Sequence, residues 1–126
     1  MVAVGEVLTP AWAERAGVDF VGVGDSLGMT LHGHGNTLAM TVDQMIMHTQ
    51  PMRRGALDTL CLVSMPYGLY ATPEMARTNA VQMMKDSGAD ALKLQLGREG
   101  AHIIRAVADA GVPVISYVGR CRIRCI

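Results

Sequence analysis

Phe20-Val21-Gly22-Val23-Gly24-Asp25-Ser26-Leu27-Gly28-Met29-Thr30 is the stretch on which the reading of this chain turns. Its first four residues are apolar or small with no polar alternation, the pattern of a strand buried on both faces rather than one. Directly beyond them, Asp25 and Ser26 put a carboxylate and a hydroxyl among glycines at the carboxyl end of that strand. Parallel β/α proteins build their sites at that end, where the strand-to-helix loops gather. A carboxylate beside a hydroxyl there suits a hard metal ion and an anionic ligand. Asp25 is the first functional candidate.

Outward from this stretch, strand-like and helix-like segments alternate. Thr9-Pro10 predicts a helix start, with Thr9 as cap and Pro10 at the first helical position, and Gly17 ends that helix before a strand over 18–23. Thr41 predicts the cap of a helix over 42–54, with Pro51 inside it and Gly55 closing it. A strand over 57–63 follows, then Thr72-Pro73-Glu74 opens a helix that runs to Ser87 and stops at Gly88. The remaining expectations are a strand over 89–96, a helix over 99–110 punctuated by Gly111, and a strand over 112–118. Residues 1–5 read as the remnant of one more strand.

This alternation predicts a parallel sheet made of right-handed βαβ units. Two architectures fit. A doubly wound open sheet would be complete at this length, whereas a (β/α)8 barrel typically needs about 250 residues, so that this chain would supply about half. Gly22, Gly24 and Gly28 follow GxGxxxG, one residue longer than the dinucleotide fingerprint, which argues against NAD.

Composition narrows the partners. Of 126 residues, 50% are hydrophobic and 17% charged, the formal net charge is zero, and only one Trp, three Tyr and one Phe are present. This is a globular composition with neither a basic footprint nor a stacking platform for nucleic acid. No apolar run approaches the roughly 20 residues of a membrane span, and no basic segment leads an apolar one at the start, so a cytoplasmic protein with no membrane partner is expected. Cys61, Cys121 and Cys125 have no CxxC spacing, which disfavours a disulfide framework or a structural zinc site. Cys61 is expected to be a small buried hydrophobe.

Placed on these elements, the polar candidates gather at one rim. Asp25 and Ser26 follow the second strand, Ser64 ends the third, and Lys93 and Gln95 fall late in the fourth. Lys93 and Gln95, two apart, point to one side and Leu92, Leu94 and Leu96 to the other. An inward lysine is costly unless paired, and either Asp25 or an anionic ligand would supply the counter-charge. A structural Lys93–Asp25 ion pair and a ligand site both remain open. His32 and His34, in a Gly-rich loop, read as loop geometry, and His48 and His102 as packing or surface residues. The ten methionines suggest adaptable core filling or subunit contact. Trp12 is expected to pack against the sheet.

The residues 23–30, followed by Gly33-His34, Thr37-Leu38, Thr41-Val42, His48-Thr49 and Arg53-Arg54-Gly55, resemble the ketopantoate hydroxymethyltransferase (3-methyl-2-oxobutanoate hydroxymethyltransferase) family. Pro66, Tyr70-Ala71-Thr72-Pro73-Glu74, Gly88-Ala89, Lys93 and Val112-Pro113-Val114 continue the resemblance in register from Gly17 to Gly119. It implies that residues 1–119 form about half of a TIM-type barrel of the phosphoenolpyruvate mutase and isocitrate lyase kind. It further implies a homo-oligomer in pantothenate biosynthesis that transfers a hydroxymethyl group from 5,10-methylenetetrahydrofolate to 2-oxoisovalerate, giving ketopantoate.

In that family a divalent metal, usually magnesium, chelates the 2-oxo acid. The resemblance implies that Asp25 ligates the metal, that Asp25 and Ser26 contact the acid, and that Lys93 neutralises its charge. Ser64 and Gln95 stand where the family has a metal-binding aspartate and a metal-linked glutamate. As replacements they would serve at the metal only through a hydroxyl and an amide, with Ser64 also near substrate, so metal affinity should fall. The family's proton-acceptor glutamate belongs to the other half of the barrel, so no catalytic residue is assigned here.

Residues 120–126 show no resemblance and are expected to be an unrelated tail, as in a truncated or frame-shifted reading of a longer member. Two further readings stay open: a diverged paralogue acting as a lyase on another 2-oxo acid, and an inactive half barrel with a structural or oligomerising role. Half a barrel leaves strand edges and apolar faces uncovered, which predicts self-association.

Overall fold

A computed structural model describes residues 1–118. The expected tail at 120–126, with Cys121 and Cys125, lies outside the described residues. The strands β1 (Val2–Ala3), β2 (Phe20–Val23), β3 (Leu60–Ser64), β4 (Ala91–Gln95) and β5 (Val114–Tyr117) pair in parallel in the order β1-β2-β3-β4-β5. That order separates the two architectures. A doubly wound sheet reverses its order at a switch point and carries helices on both faces, whereas a chain that always steps the same way lays its helices on one face, as in a barrel wall. Here α1 (Leu8–Arg15) packs on α3 (Val42–Gly55), α3 on α4 (Pro73–Ser87) and α4 on α5 (Ala101–Asp109), each helix beside the next. The described residues are a segment of barrel wall.

The strand period of two divides the side chains between core and axis. Val21, Val23, Cys61, Val63, Leu92 and Leu94 are at most 1% exposed and pack with Met45, Met52, Ala76, Ala80, Met83 and Val107 from the helices. Full burial of each larger side chain is worth about 1.5–3 kcal/mol, so this layer between sheet and helices holds the fold together. Met45, Met52 and Met83 are wholly buried and are core filling, whereas Met29, Met47 and Met75 face solvent. The alternate residues Gly22, Leu62, Ser64 and Lys93 line the axial side.

Local signals account for most element ends. Thr41 and Gln44 form a reciprocal capping box at the start of α3, with Gln44 N–H donating to Thr41 Oγ1 at 3.2 Å and Thr41 N–H to Gln44 Oε1 at 3.0 Å. Thr72 caps α4, Pro73 is its first residue, and Gly88 ends it at φ 75°. Gly55 has the Val7 carbonyl where a Cβ would stand, so any side chain there pushes α3 away from α1.

Several expectations are corrected. α1 starts at Leu8, because the Glu6 carboxylate, not Thr9, accepts the first free N–H groups, from Leu8 at 2.5 Å and Thr9 at 2.9 Å. A one-turn helix, α2 (Leu27–Thr30), follows the Asp25-Ser26 turn. β3 begins at Leu60 rather than 57. Glu14 accepts from the N–H groups of Asp58 and Thr59, and Arg53 donates to the carbonyls of Leu57 and Thr59, so this backbone is engaged by side chains rather than by a neighbouring strand. The last helix opens with a 3-10 turn, Arg98–Gly100. Trp12 is 61% exposed and does not pack on the sheet; α1 turns Pro10 and Ala13 inward instead. Among the described residues no helix is long and apolar enough to cross a membrane.

Candidate functional site at the carboxyl rim

β2, β3 and β4 end side by side, and their register sets the site. Ser64, the last residue of β3, pairs with Lys93 of β4, while Gly24, Asp25 and Ser26 follow the end of β2, whose Val23 pairs with Val63. A cavity of about 190 Å³ is lined by Gly24, Asp25, Ser26, Ser64 and Lys93 together with Met1 and apolar residues of β1 to β3. A space of about 20 Å³ adjoins it, lined by Asp25, Ser64, Lys93 and Gln95 with Met65 and Tyr70. The structure thus brings Asp25, Ser26, Ser64 and Lys93 to one cavity and reaches Gln95 through the smaller space.

Gly24 is the floor between the two hydroxyls. A Cβ on it would stand 3.2 Å from Ser26 Oγ and 4.0 Å from Ser64 Oγ, so both serines flank one open spot. Ser64 is buried at 7% exposure, a setting in which its hydroxyl gains most from a ligand partner.

Lys93 does not pair with Asp25. Among the described residues the ion pairs are Arg53–Asp90 and Arg105–Asp109, and the Lys93 ammonium lies over the Tyr117 ring, 4.6 Å from its centroid. The structural ion pair that the sequence left open is therefore not formed. Tyr117 was missing from the candidates. Its signal was parity: it is the register partner of Gln95, at the rim end of the neighbouring strand.

The histidines take another role. His48 is buried, and its Nδ1 lies 2.9 Å from the Gly5 carbonyl, which only accepts, so this nitrogen carries the proton. Its Nε2 then accepts from His32 Nε2 at 2.9 Å, and His34 stacks on His32 with ring centroids 5.8 Å apart. These contacts pin the loop after α2 against α3 and the end of β1.

Solved structures share this frame. Two crystal forms of 2,3-dimethylmalate lyase, a phosphoenolpyruvate mutase/isocitrate lyase superfamily member, match with TM-scores of 0.72 and 0.69 at 19% and 20% identity. They cover 98% and 94% of this chain and 49% and 47% of those chains. The fold is thus part of a phosphoenolpyruvate mutase/isocitrate lyase-type barrel, with its cavity at the rim where such barrels hold their ligands. Sequence narrows the class further: the ketopantoate hydroxymethyltransferase family model matches residues 1–122, and the chain belongs to that family.

It is 48% identical to 3-methyl-2-oxobutanoate hydroxymethyltransferase 1 of Methylibium petroleiphilum, over 93% of this chain and 40% of the relative. The enzymes of the same name from Thermus thermophilus and Geobacillus kaustophilus are each 46% identical, over 88% and 85% of this chain and 42% and 39% of theirs. The chain spans about two fifths of the length of these curated relatives.

The magnesium implied by the family finds a poor donor set. Among the described residues no three His, Cys, Asp or Glu side chains converge. The rim offers one carboxylate, Asp25, the Ser26 and Ser64 hydroxyls and the Gln95 amide, and the cationic residue Lys93 lines the same spaces. A hard divalent cation needs an oxygen cage with anionic members, and one carboxylate offset by an ammonium does not make one. The residues present do not fit a resident divalent cation.

Proposed function

We propose that this chain forms the 2-oxo-acid-binding part of a cytoplasmic, homo-oligomeric transferase of pantothenate biosynthesis. The reaction passes a hydroxymethyl group from 5,10-methylenetetrahydrofolate to 2-oxoisovalerate. It takes a proton from C3 of the acid, joins C3 to the methylene carbon and consumes one water, leaving ketopantoate and tetrahydrofolate. The observation that carries the reading is the convergence of Asp25, Ser26, Ser64 and Lys93 on one rim cavity in a member of this family.

In this reading Lys93 opposes the substrate carboxylate, and the Ser26 and Ser64 hydroxyls donate to its oxygens. The same donors meet the negative charge that spreads toward the keto oxygen as C3 loses its proton. Asp25 closes the other side of the cavity. Assembly into a homo-oligomer is favoured by Ile115, Tyr117 and Val118, which are exposed at the β5 edge of the sheet.

Titration of 2-oxoisovalerate into the full chain, followed by calorimetry, tests the reading. Saturable binding is expected, weakened about tenfold or more in Lys93→Ala, in line with loss of a charge-assisted hydrogen bond. Absence of binding, or binding indifferent to Lys93→Ala, would overturn it.

A further inference from the structure

The rim cavity contains one negative and one positive side chain that leave each other free. Asp25 and Lys93 line both the larger and the smaller space, yet neither of the ion pairs formed among the described residues includes them. Lys93 instead rests on the face of Tyr117. The ring supplies no strong acceptor, so an ammonium held there keeps its donors for an incoming anion. Ser26 and Ser64 add two hydroxyls around the spot left open by Gly24.

The smaller space, about 20 Å³, exceeds the roughly 10–15 Å³ that a single water-sized occupant needs. It has the size of an ion site without the charge of one, because its lining holds a single carboxylate, Asp25, alongside the cationic residue Lys93.

We infer that this cavity binds its small 2-oxo acid without a divalent cation, the acid's carboxylate seated on Lys93 and its oxygens on Ser26 and Ser64. Tyr117 is a positioning residue that keeps the Lys93 ammonium at the rim. The identity of the acid rests on the proposed function, whereas the charge argument concerns the cavity alone.

Two measurements on the full chain test this. In the first, 2-oxoisovalerate is titrated by calorimetry in EDTA and again in millimolar magnesium. Equal affinity in the two is expected. A gain of more than about tenfold with magnesium overturns the inference and leaves the proposed function standing. Failure to bind under either condition overturns the proposed function, and the inference with it.

In the second, manganese is the spin probe for the same site. Its electron paramagnetic resonance signal should remain that of the free ion with the wild-type chain and the acid, and uptake at the rim would overturn the inference. Ser64→Asp with Gln95→Glu places three carboxylates around the small space and should create manganese uptake, with circular dichroism reporting that the variant is folded. Each single variant is carried in parallel in case the double one does not fold. Folded variants that still take up no manganese would overturn the argument that missing anionic donors keep cations out. Tyr117→Leu should weaken acid binding about fivefold while Tyr117→Phe preserves it, because the ring face and not the hydroxyl holds the ammonium. Equal loss in both variants would remove Tyr117 from the positioning role.

Discussion

The two ends of the strands handle charge in opposite ways. At the amino end Arg53, Asp90 and Glu14 are committed to partners within the chain. Arg53 donates to Asp90 Oδ2 at 3.0 Å and to the carbonyls of Leu57 and Thr59, the same Asp90 oxygen accepts the Cys61 N–H at 2.8 Å, and Glu14 takes two further N–H groups at 2.8 Å each. At the carboxyl end Asp25 and Lys93 border an open cavity and stay apart. Charges whose partners lie within the chain hold the wall together, while charges left without one are available to a ligand. The contrast matches the general division of β/α barrels into a stabilising bottom and a functional top.

Substitutions can break this contrast from either side, and the largest effect is expected at the amino end. Asp90→Ala removes acceptors from both Arg53 and the Cys61 N–H, and urea denaturation should show a loss of about 1.5–3 kcal/mol, the range for hydrogen bonds to charged groups. The folded fraction should bind 2-oxoisovalerate unchanged. Lys93→Ala should do the reverse. Its stability should stay within about 1 kcal/mol of the parent, the scale of its contact with the Tyr117 ring, while acid binding falls. A Lys93→Ala variant that unfolds more readily than Asp90→Ala would erase the distinction between the two ends.

A smaller effect is expected from pH. The backbone N–H of Asp58 gives the largest contribution, with that of Thr59, to holding the Glu14 carboxyl below its ordinary value of 4.5. A depressed carboxylate stabilises the fold fully above its unfolded value, and that contribution is lost as pH falls below about 4.5 through the lowered folded value. The urea midpoint should decline over this acid range, and Glu14→Gln should flatten that part of the profile. An unchanged profile would detach Glu14 from the clamp.

The smallest effect concerns reactivity rather than stability. Burial pushes the Cys61 thiol above its ordinary value of 9.0, against the lowering influence of Arg53, so it stays a thiol at neutral pH. Peptide mapping after alkylation should find Cys61 unlabelled in the native chain and labelled in urea. Rapid native labelling would place the cysteine outside the sealed end of the wall.

How much of this was legible in the sequence depended on the range of the interaction. Thr41, Thr72-Pro73 and Gly88 announced helix ends because a cap is settled within three or four residues. The strand expected from residue 57 failed because Glu14 and Arg53, distant or on the preceding helix, take up the backbone of 57–59. Trp12 was read as core because its type is apolar, yet α1 buries a different stripe. Asp25, Ser26, Ser64 and Lys93 could be assigned to one rim because each follows, ends or lies late in a strand of a parallel sheet. Tyr117 could not be joined to Lys93 until the β4–β5 register was known.

By itself, then, the order of residues determined the alternation of strands and helices and which polar groups share an end of the sheet, through backbone period, local capping and place along each strand, while its motifs carried the resemblance to the family. Tertiary structure alone decided that Arg53 and Asp90 meet while Asp25 and Lys93 do not, and that an aromatic face holds the lysine. The physical reason is distance: pairing between charges falls off within a few ångströms, and only the packed sheet sets separations between residues far apart in the chain.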